Sequence, residues 1–427
     1  MSSNQTPELS VVIPVWNGEH DLGRLLPRLN AVLEVVMGSA AAEVIVAVPK
    51  GDPAGDLAEK QGARVADYAF EGFGHALGAG LSTARGRWVV TMDADYSHRP
   101  EFIRSLWVHR HEADVLIASR YVRGAFAEMS ASRRVASRVL NRVYRTTLAL
   151  PYRDLSSSFR MYRREVLEDV GPISAEGLDA LQEIVVKAFA QGWRIQEVPL
   201  FYRQSRMWAK GRKAQLGMGY LRTVGGLIAL RNSVKSADYD SRAFDSWIPL
   251  QRYWQRARFR VIRGMVDGTG RILDVGCGSS RILQSLPQAV GLDMQFRKLR
   301  WARSPGRRLV AGSLSKLPFA DASFDVVICS EVIEHIPREE IDLTDMVRVL
   351  VPGGDLILGT PDYGRWLWRT IEGLYKKVFP QGYATEHINQ YTRKSLREEI
   401  ERMGLIVRDI QYVGASEMIV KAVKPAE

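Results

Sequence analysis

Asp93 and Asp95 stand two residues apart, directly behind the apolar run Trp88-Val89-Val90-Thr91-Met92. In extended backbone, residues two apart point the same way, so both carboxylates can converge on one ion. Two hard oxygen donors suit Mg2+ or Mn2+, which bind through one or two carboxylates together with substrate phosphates. An ion held there would offset negative charge building on a departing diphosphate. An Asp-x-Asp alone reads more readily as a cap or turn, so its surroundings have to decide.

A second acid-tipped run is Arg271-Ile272-Leu273-Asp274-Val275-Gly276-Cys277-Gly278. Glycines between a strand and a helix let backbone approach a ligand closely, and the acid can bond a ribose or a charged group. The third glycine of the dinucleotide fingerprint is absent, because Arg281 stands there. Another acid closes the next apolar run, Val290-Gly291-Leu292-Asp293, where it suits ribose hydroxyls.

The elements that must position these groups alternate between strand and helix periods, which predicts mostly parallel sheets covered on both faces. Strands are expected at 9–15, 43–48, 87–92, 113–119 and 194–201, with helices near 19–35, 74–85, 99–110, 131–149, 176–191 and 213–231. The alternation restarts at Arg271, with strands at 271–275, 288–292, 306–311, 324–329, 354–359, 405–412 and 417–423. A chain of 427 residues exceeds what one core usually serves. The expected division is 1–232, a basic linker at 233–264, and 265–427.

Charge is concentrated. From Arg203 to Arg263 there are 14 Lys or Arg against 3 acids, while the rest of the chain balances at 45 of each. This stretch is either a solvated helical face with a linker or a surface for an anionic lipid. No recognisable nucleic-acid-binding motif accompanies it, so nucleic acid is not an expected partner. There is no apolar run of about 18 residues to span a membrane. The first residues lack signal-peptide character, and the two cysteines, Cys277 and Cys329, form no disulfide framework. A cytoplasmic protein is expected; of the two readings of the basic stretch, the lipid surface would bring it into peripheral contact with the inner membrane surface, and the other is simple packing.

Three stretches in order resemble family 2 glycosyltransferases of the dolichyl- or polyprenyl-phosphate sugar synthase branch. They are Val11-Val12-Ile13-Pro14-Val15-Trp16-Asn17-Gly18-Glu19, Gly72-Phe73-Gly74-His75-Ala76-Leu77-Gly78-Ala79-Gly80 and Met92-Asp93-Ala94-Asp95-Tyr96-Ser97-His98-Arg99-Pro100. Ala118-Ser119-Arg120-Tyr121, Asp154-Leu155-Ser156-Ser157-Ser158-Phe159-Arg160 and Glu197-Val198-Pro199-Leu200 extend the likeness to about residue 230. The resemblance implies a GT-A nucleotide-diphospho-sugar transferase fold acting on a nucleotide sugar and a polyprenyl phosphate. By it, Pro14, Trp16 and Glu19 border the nucleotide, and Asp93 and Asp95 bind the metal. Arg120, Arg133 and Ser137 would face the lipid phosphate, and Arg206 and Lys213 would lie on a segment covering the diphosphate. A lipid phosphate is already ionised, so attack needs orientation more than a strong base. Glu183 is the one candidate base, with a structural role equally open. The family's acids after the second strand are replaced by Val46-Ala47-Val48-Pro49-Lys50, which leaves the donor's base open.

In the second half, the Asp274 and Asp293 runs are followed by Gly312-Ser313-Leu314-Ser315-Lys316-Leu317-Pro318-Phe319, Ser330-Glu331-Val332-Ile333-Glu334-His335-Ile336 and Val351-Pro352-Gly353-Gly354. That series resembles class I (type 11) S-adenosylmethionine-dependent methyltransferases, of the branch with ubiquinone-type and sugar O-methylases. It implies a Rossmann-like fold, with Asp274, Gly276 and Gly278 around the methionine part and Asp293 on ribose. Met294, Ser313 and Leu314 would lie near adenine and Ser330 beside the sulfonium. An O-methylase must remove a hydroxyl proton, so some base or a bound metal is expected, and His387 is the candidate acceptor or else a loop anchor.

The expectation is a bifunctional transferase: sugar transfer to a polyprenyl-phosphate-type acceptor, and methylation of a hydroxyl on a glycan- or lipid-related acceptor. The alternatives are a glycosyltransferase acting on a soluble saccharide, or a methyltransferase whose first half only binds or docks.

Overall fold

The computed structural model describes residues 6–16, 20–38, 41–203, 218–267, 270–337, 341–378 and 387–426, without the side chains of 218–221 and 374–378. The chain divides into two compact units, Met1–Arg231 and Asn232–Glu427.

The first unit begins β1 (Leu9–Pro14), α1 (Leu22–Met37), β2 (Ala42–Pro49), α2 (Pro53–Lys60), β3 (Arg64–Tyr68), α3 (Phe73–Thr83) and β4 (Trp88–Thr91). It continues α4 (Ile103–His109), β5 (Val115–Ser119), β6 (Phe126–Glu128), α5 (Ala131–Thr147), β7 (Arg160–Arg163) and α6 (Arg164–Val170). It ends α7 (Ala180–Ala190), β8 (Ile195–Pro199), β9 (Phe201–Arg203) and α8 (Met218–Arg231). Seven strands form one sheet in the order β3-β2-β1-β4-β7-β5-β8, parallel except for β7, while β6 and β9 pair separately. Burial on both faces follows from alternation within β1. Leu9, Val11 and Ile13 join the core that takes in Leu22, Leu25 and Leu29 of α1, and Val12 packs with Ala76 of α3. The strand pattern missed β7 because its Arg160-Met161-Tyr162-Arg163 has no apolar run. Arg160 is nevertheless fully buried, donating to the carbonyls of Leu181 at 2.6 Å and Leu155 at 2.7 Å.

The second unit opens with α9 (Tyr239–Phe244) and α10 (Pro249–Met265), then β10 (Ile272–Val275), α11 (Arg281–Ser285), β11 (Val290–Asp293), α12 (Phe296–Ala302) and β12 (Arg308–Ala311). There follow β13 (Phe324–Ser330), α13 (Thr344–Val349), β14 (Leu350–Pro361), α14 (Trp366–Val378), α15 (Arg393–Arg402), β15 (Ile406–Val413) and β16 (Glu417–Val423). The sheet runs β12-β11-β10-β13-β14-β16-β15, with β16 antiparallel to both neighbours. All seven expected strands of this half are present.

The expected basic linker at 233–264 is corrected. Its helices belong to the second unit, because α10 places Ala257, Ile262 and Met265 in a core with Ile272, Ile328 and Ile419. The arginines that gave the stretch its linker-like charge lie between these apolar positions. No described helix is long and apolar enough to cross a membrane.

Candidate active sites

In the first unit, β1 and β4 are parallel neighbours, so their carboxyl ends lie side by side. That is the edge where ligands bind in sheets of this kind. Pro14 ends β1, and Trp16 two residues on meets Phe73 edge-on with ring centres 6.1 Å apart. Beyond β4 the chain turns through Asp93 and Asp95 into Tyr96, whose φ is +58°. Ser158 Oγ donates to Asp93 Oδ1 at 2.7 Å, and the Asp93 N–H donates to His98 Nδ1 at 3.1 Å. The Ser97 N–H donates to Asp95 Oδ1 at 3.0 Å, closing the turn. Both acids are half-buried. Their all-oxygen donor set fits a hard divalent ion.

Arg120 follows β5 and forks onto Asp154, Nε to Oδ2 at 2.8 Å and Nη2 to Oδ1 at 2.7 Å. Burial alone would raise the Asp154 carboxyl, yet the guanidinium beside it holds the pKa below its ordinary value. Arg120 also reaches Ser156 Oγ at 2.8 Å, which takes a second bond from Asn141 Nδ2 at 3.0 Å. Asn141 in turn donates to the Ser137 carbonyl at 2.9 Å, linking loop and α5.

Arg133, one helical turn before Ser137, donates through Nη2 to Tyr202 Oη at 3.4 Å. The Arg120 guanidinium lies 5.5 Å from the centre of the same ring. Burial raises the Tyr202 pKa; Arg133 and Arg120 oppose that rise, and Asp93 and Asp95 add to it. Thus one buried phenol is within electrostatic reach of both acids and both arginines. The sequence does not single it out, since Tyr202 sits in the three-residue β9 and reads as a core aromatic. Asp154, which fixes Arg120, was noted only as part of a motif.

Glu183 is corrected as a candidate base. It is 1% exposed and accepts from Ser174 N–H at 3.0 Å, Ser174 Oγ at 2.8 Å and Ala175 N–H at 2.8 Å, with Lys187 Nζ at 2.6 Å. Burial works to raise its carboxyl, but Lys187 and these donors bring the pKa below its ordinary value, the opposite of a base's tuning. The carboxylate clamps the segment against which Gly74 packs, its N–H donating to the Glu176 carbonyl at 2.8 Å. Glu19, Arg206 and Lys213 lie outside the described residues.

In the second unit a cavity of about 610 Å³ opens at the carboxyl ends of β10 and β11. Asp274, Gly276, Gly278, Asp293, Met294, Ser313, Leu314 and Ser330 all line it, as does His387. Gly276 has φ +67°, and a Cβ there would come 2.3 Å from Val332 Cγ2. Gly278 has φ +52°, with Asp240 Oδ2 2.9 Å from where a Cβ would lie. A side chain has no room at Gly276, and at Gly278 it would strain the backbone and displace the Asp240 carboxylate. Asp293 accepts from the Gln295 N–H at 2.7 Å and the Gly278 N–H at 2.9 Å. Asp274 Oδ2 and Ser330 Oγ are buried with no hydrogen-bond partner. Burial, then the charge of Asp293, pushes the Asp274 carboxyl up to about 8. A buried carboxylate with an unused oxygen fits a cationic amino group, so the residues fit S-adenosylmethionine.

The stretch once read as linker builds one wall of this cavity. Asp240 accepts from Ser279 Oγ at 3.0 Å and Lys298 Nζ at 2.9 Å, while Trp254, Gln255 and Arg258 face inward from α10. Met294 stays 70% exposed at the rim. His387 stacks on Trp368 with ring centres 5.9 Å apart, and its Nδ1 lies 2.9 Å from Tyr363 Oη and 3.2 Å from Glu372 Oε1.

A parallel sheet with one antiparallel strand and a carboxyl-end acid pair, then a sheet with a glycine turn and the reversed β16 set between β14 and β15, define a two-domain transferase. It joins a GT-A glycosyltransferase of family 2 to a class I S-adenosylmethionine-dependent methyltransferase. Residues 10–171 match the family described as Glycosyl transferase family 2, and residues 273–358 match the Methyltransferase domain family. The first half is similar to a dolichyl-phosphate hexose transferase of Haloferax volcanii, 28% identical over 198 residues covering 46% of this chain and 83% of that one. It is also similar to a polyprenol monophosphomannose synthase of Mycolicibacterium smegmatis, 29% identical over 218 residues covering 47% of this chain and 80% of that one. A solved SAM-dependent methyltransferase of Thermotoga maritima is 19% identical with a TM-score of 0.36, covering 42% of this chain and 94% of that one.

Proposed function

We propose that the first unit transfers a sugar from a nucleotide donor to a polyprenyl phosphate, with Mg2+ or Mn2+ held by Asp93 and Asp95. The ion would neutralise charge on the departing nucleotide diphosphate. The observation that carries this reading is Tyr202, because it brings the acid pair and the two arginines around one side chain. Arg120 and Arg133 would orient the acceptor phosphate; that anion is nucleophilic at neutral pH, so loss of Glu183 as a base costs the mechanism nothing. Both similar proteins of the first half are named for polyprenyl- or dolichyl-phosphate sugar transfer.

A lipid acceptor implies contact with a membrane surface, at the cytoplasmic face in this reading. The outer side of α5 supports it: Val135, Val139, Leu140 and Val143 are exposed beside Arg134, Arg138, Arg142 and Arg145, with no acid in the helix. A basic helix with an exposed apolar face suits an anionic bilayer surface.

The second unit, in the same proposal, moves the methyl group of S-adenosylmethionine to a hydroxyl on a glycan- or lipid-related acceptor. Asp274 would hold the amino end of the cofactor and Asp293 the ribose. The hydroxyl would lie toward Trp368 and His387, which line the same cavity.

Labelled nucleotide sugars, polyprenyl phosphate and Mn2+ test the first activity. Label should enter the organic phase and be lost with Asp95→Ala. Label found only in water-soluble saccharide would overturn the lipid acceptor, and transfer surviving Asp95→Ala would overturn the metal assignment.

A further inference from the structure

One corner of the methyltransferase cavity holds a cluster that cofactor binding does not use. One atom each from Glu334, His335 and His387 lies within 4.8 Å of the others. Glu334 is fully buried; its Oε2 accepts from Thr360 Oγ1 at 3.1 Å, while its Oε1 has no hydrogen-bond partner. An unsatisfied carboxylate oxygen in a protein interior is costly and calls for a cation or donor. The His335 ring faces that of His387 with centres 4.9 Å apart, and His335 Nε2 lies 3.9 Å from Glu334 Oε1. The neighbouring acid Glu331 is engaged through Oε2 by Arg258 at 2.9 Å, and it is Glu334 whose carboxylate groups with the two histidines.

The surroundings repeat the design of a metal centre. His387 Nδ1 faces Glu372 Oε1 at 3.2 Å and Tyr363 Oη at 2.9 Å, and Tyr363 Oη donates to the same Glu372 oxygen at 2.8 Å. A carboxylate on one ring nitrogen fixes the tautomer and makes the other nitrogen the ligand. The Ile388 and Asn389 N–H groups donate to the Glu334 carbonyl at 2.8 and 3.0 Å, tying the His387 segment to the Glu334 turn. Tetrahedral bonds of about 2.0–2.2 Å hold ligand atoms roughly 3.4 Å apart, so side-chain rotation closes the remaining distance.

We propose that Glu334, His335 and His387 form a three-ligand site for a divalent transition-metal cation, with Zn2+ the best match to two imidazoles and one carboxylate. Three protein ligands leave one position open, and both histidines line the cavity. That position would take the hydroxyl oxygen of the methyl acceptor and lower its pKa. The hydroxyl proton leaves to solvent, an oxygen lone pair forms the bond to the methyl carbon, and the methyl–sulfur bond breaks to give neutral S-adenosylhomocysteine. His387 is then a ligand rather than the proton acceptor suggested by its sequence position. The role rests on the methyl-transfer reading, whereas ion binding does not.

The test uses the full chain carrying Asp95→Ala, which silences the first unit's acid pair, stripped of metal by a chelator. Titration with Co2+ should show one equivalent bound with visible ligand-field absorption, displaced by Zn2+. His335→Ala and His387→Ala should each weaken Co2+ binding at least about 100-fold, and Glu372→Gln about 10-fold. Binding of S-adenosylhomocysteine, measured by calorimetry on the same variants, should stay within about twofold and reports that each is folded. Co2+ binding that is absent from the parent, or unchanged in both histidine variants, overturns the site. Failure of the parent to bind S-adenosylhomocysteine would instead strike the methyl-transfer reading.

Discussion

Arg258 grips Glu417 through two charge-assisted hydrogen bonds, Nε to Oε1 at 2.5 Å and Nη2 to Oε2 at 2.8 Å, across 159 residues of chain. The same guanidinium reaches Glu331, and Trp254 Nε1 donates to Glu417 Oε2 at 2.6 Å. This network pins α10 to the start of β16 beside the cavity. Removing the cation strands the buried Glu417 and the partly buried Glu331, and breaking a buried pair typically costs about 3–5 kcal/mol. Arg258→Met should therefore lower the stability of the second unit by about that amount in urea unfolding. The first unit's transition should stay in place.

Asp274 should make binding of S-adenosylhomocysteine pH-dependent. Burial and the nearby Asp293 push its carboxyl up to about 8, so it is protonated below that pH and ionised above it. The cationic amino end of the cofactor favours the ionised form. Affinity for S-adenosylhomocysteine should rise about tenfold per unit from pH 6 to 8, with a proton released on binding. Asp274→Asn should flatten the profile and weaken binding at pH 8, as calorimetry in buffers of different ionisation enthalpy would show.

Tyr202→Phe removes only a hydroxyl that accepts from Arg133. Sugar transfer should fall about fivefold to tenfold, the worth of one bond near 1 kcal/mol or somewhat more. The loss should appear mainly in the KM for lipid phosphate, with thermal unfolding of the first unit little changed.

Glu183→Gln separates clamp from base. The carboxylate serves four donors, so the variant should destabilise the first unit by about 1–3 kcal/mol. The rate per folded molecule should remain within about threefold of the parent, whereas loss of a general base costs about 100-fold or more.

Arg120→Lys should behave differently from a simple charge-preserving change. An ammonium cannot reproduce the fork onto Asp154. Transfer to polyprenyl phosphate should drop by about tenfold or more, measured at saturating nucleotide sugar.

The second half was the more legible of the two. Its seven strands are apolar runs punctuated by glycine or acid, so each announced itself, and each cofactor residue sits at a strand end adjacent in sequence. The first half hid β7, because Arg160 is buried by donating to two carbonyls and reads locally as a surface charge. Charge also misled at 233–264, where an amphipathic helix rich in arginine has the composition of a linker.

By itself the sequence determined both fold classes, the acid pair behind β4 and the glycine turn behind β10, because these depend on local periodicity and on residue types at fixed spacing. Only the tertiary structure decided which side chains act as partners. Glu183 became a clamp through Ser174 and Ala175, and Arg258 found Glu417 on a strand 159 residues away. Tyr202 became the common neighbour of two acids and two arginines. Such roles come from electrostatics and hydrogen bonding between groups that packing brings together, and no spacing along the chain records them.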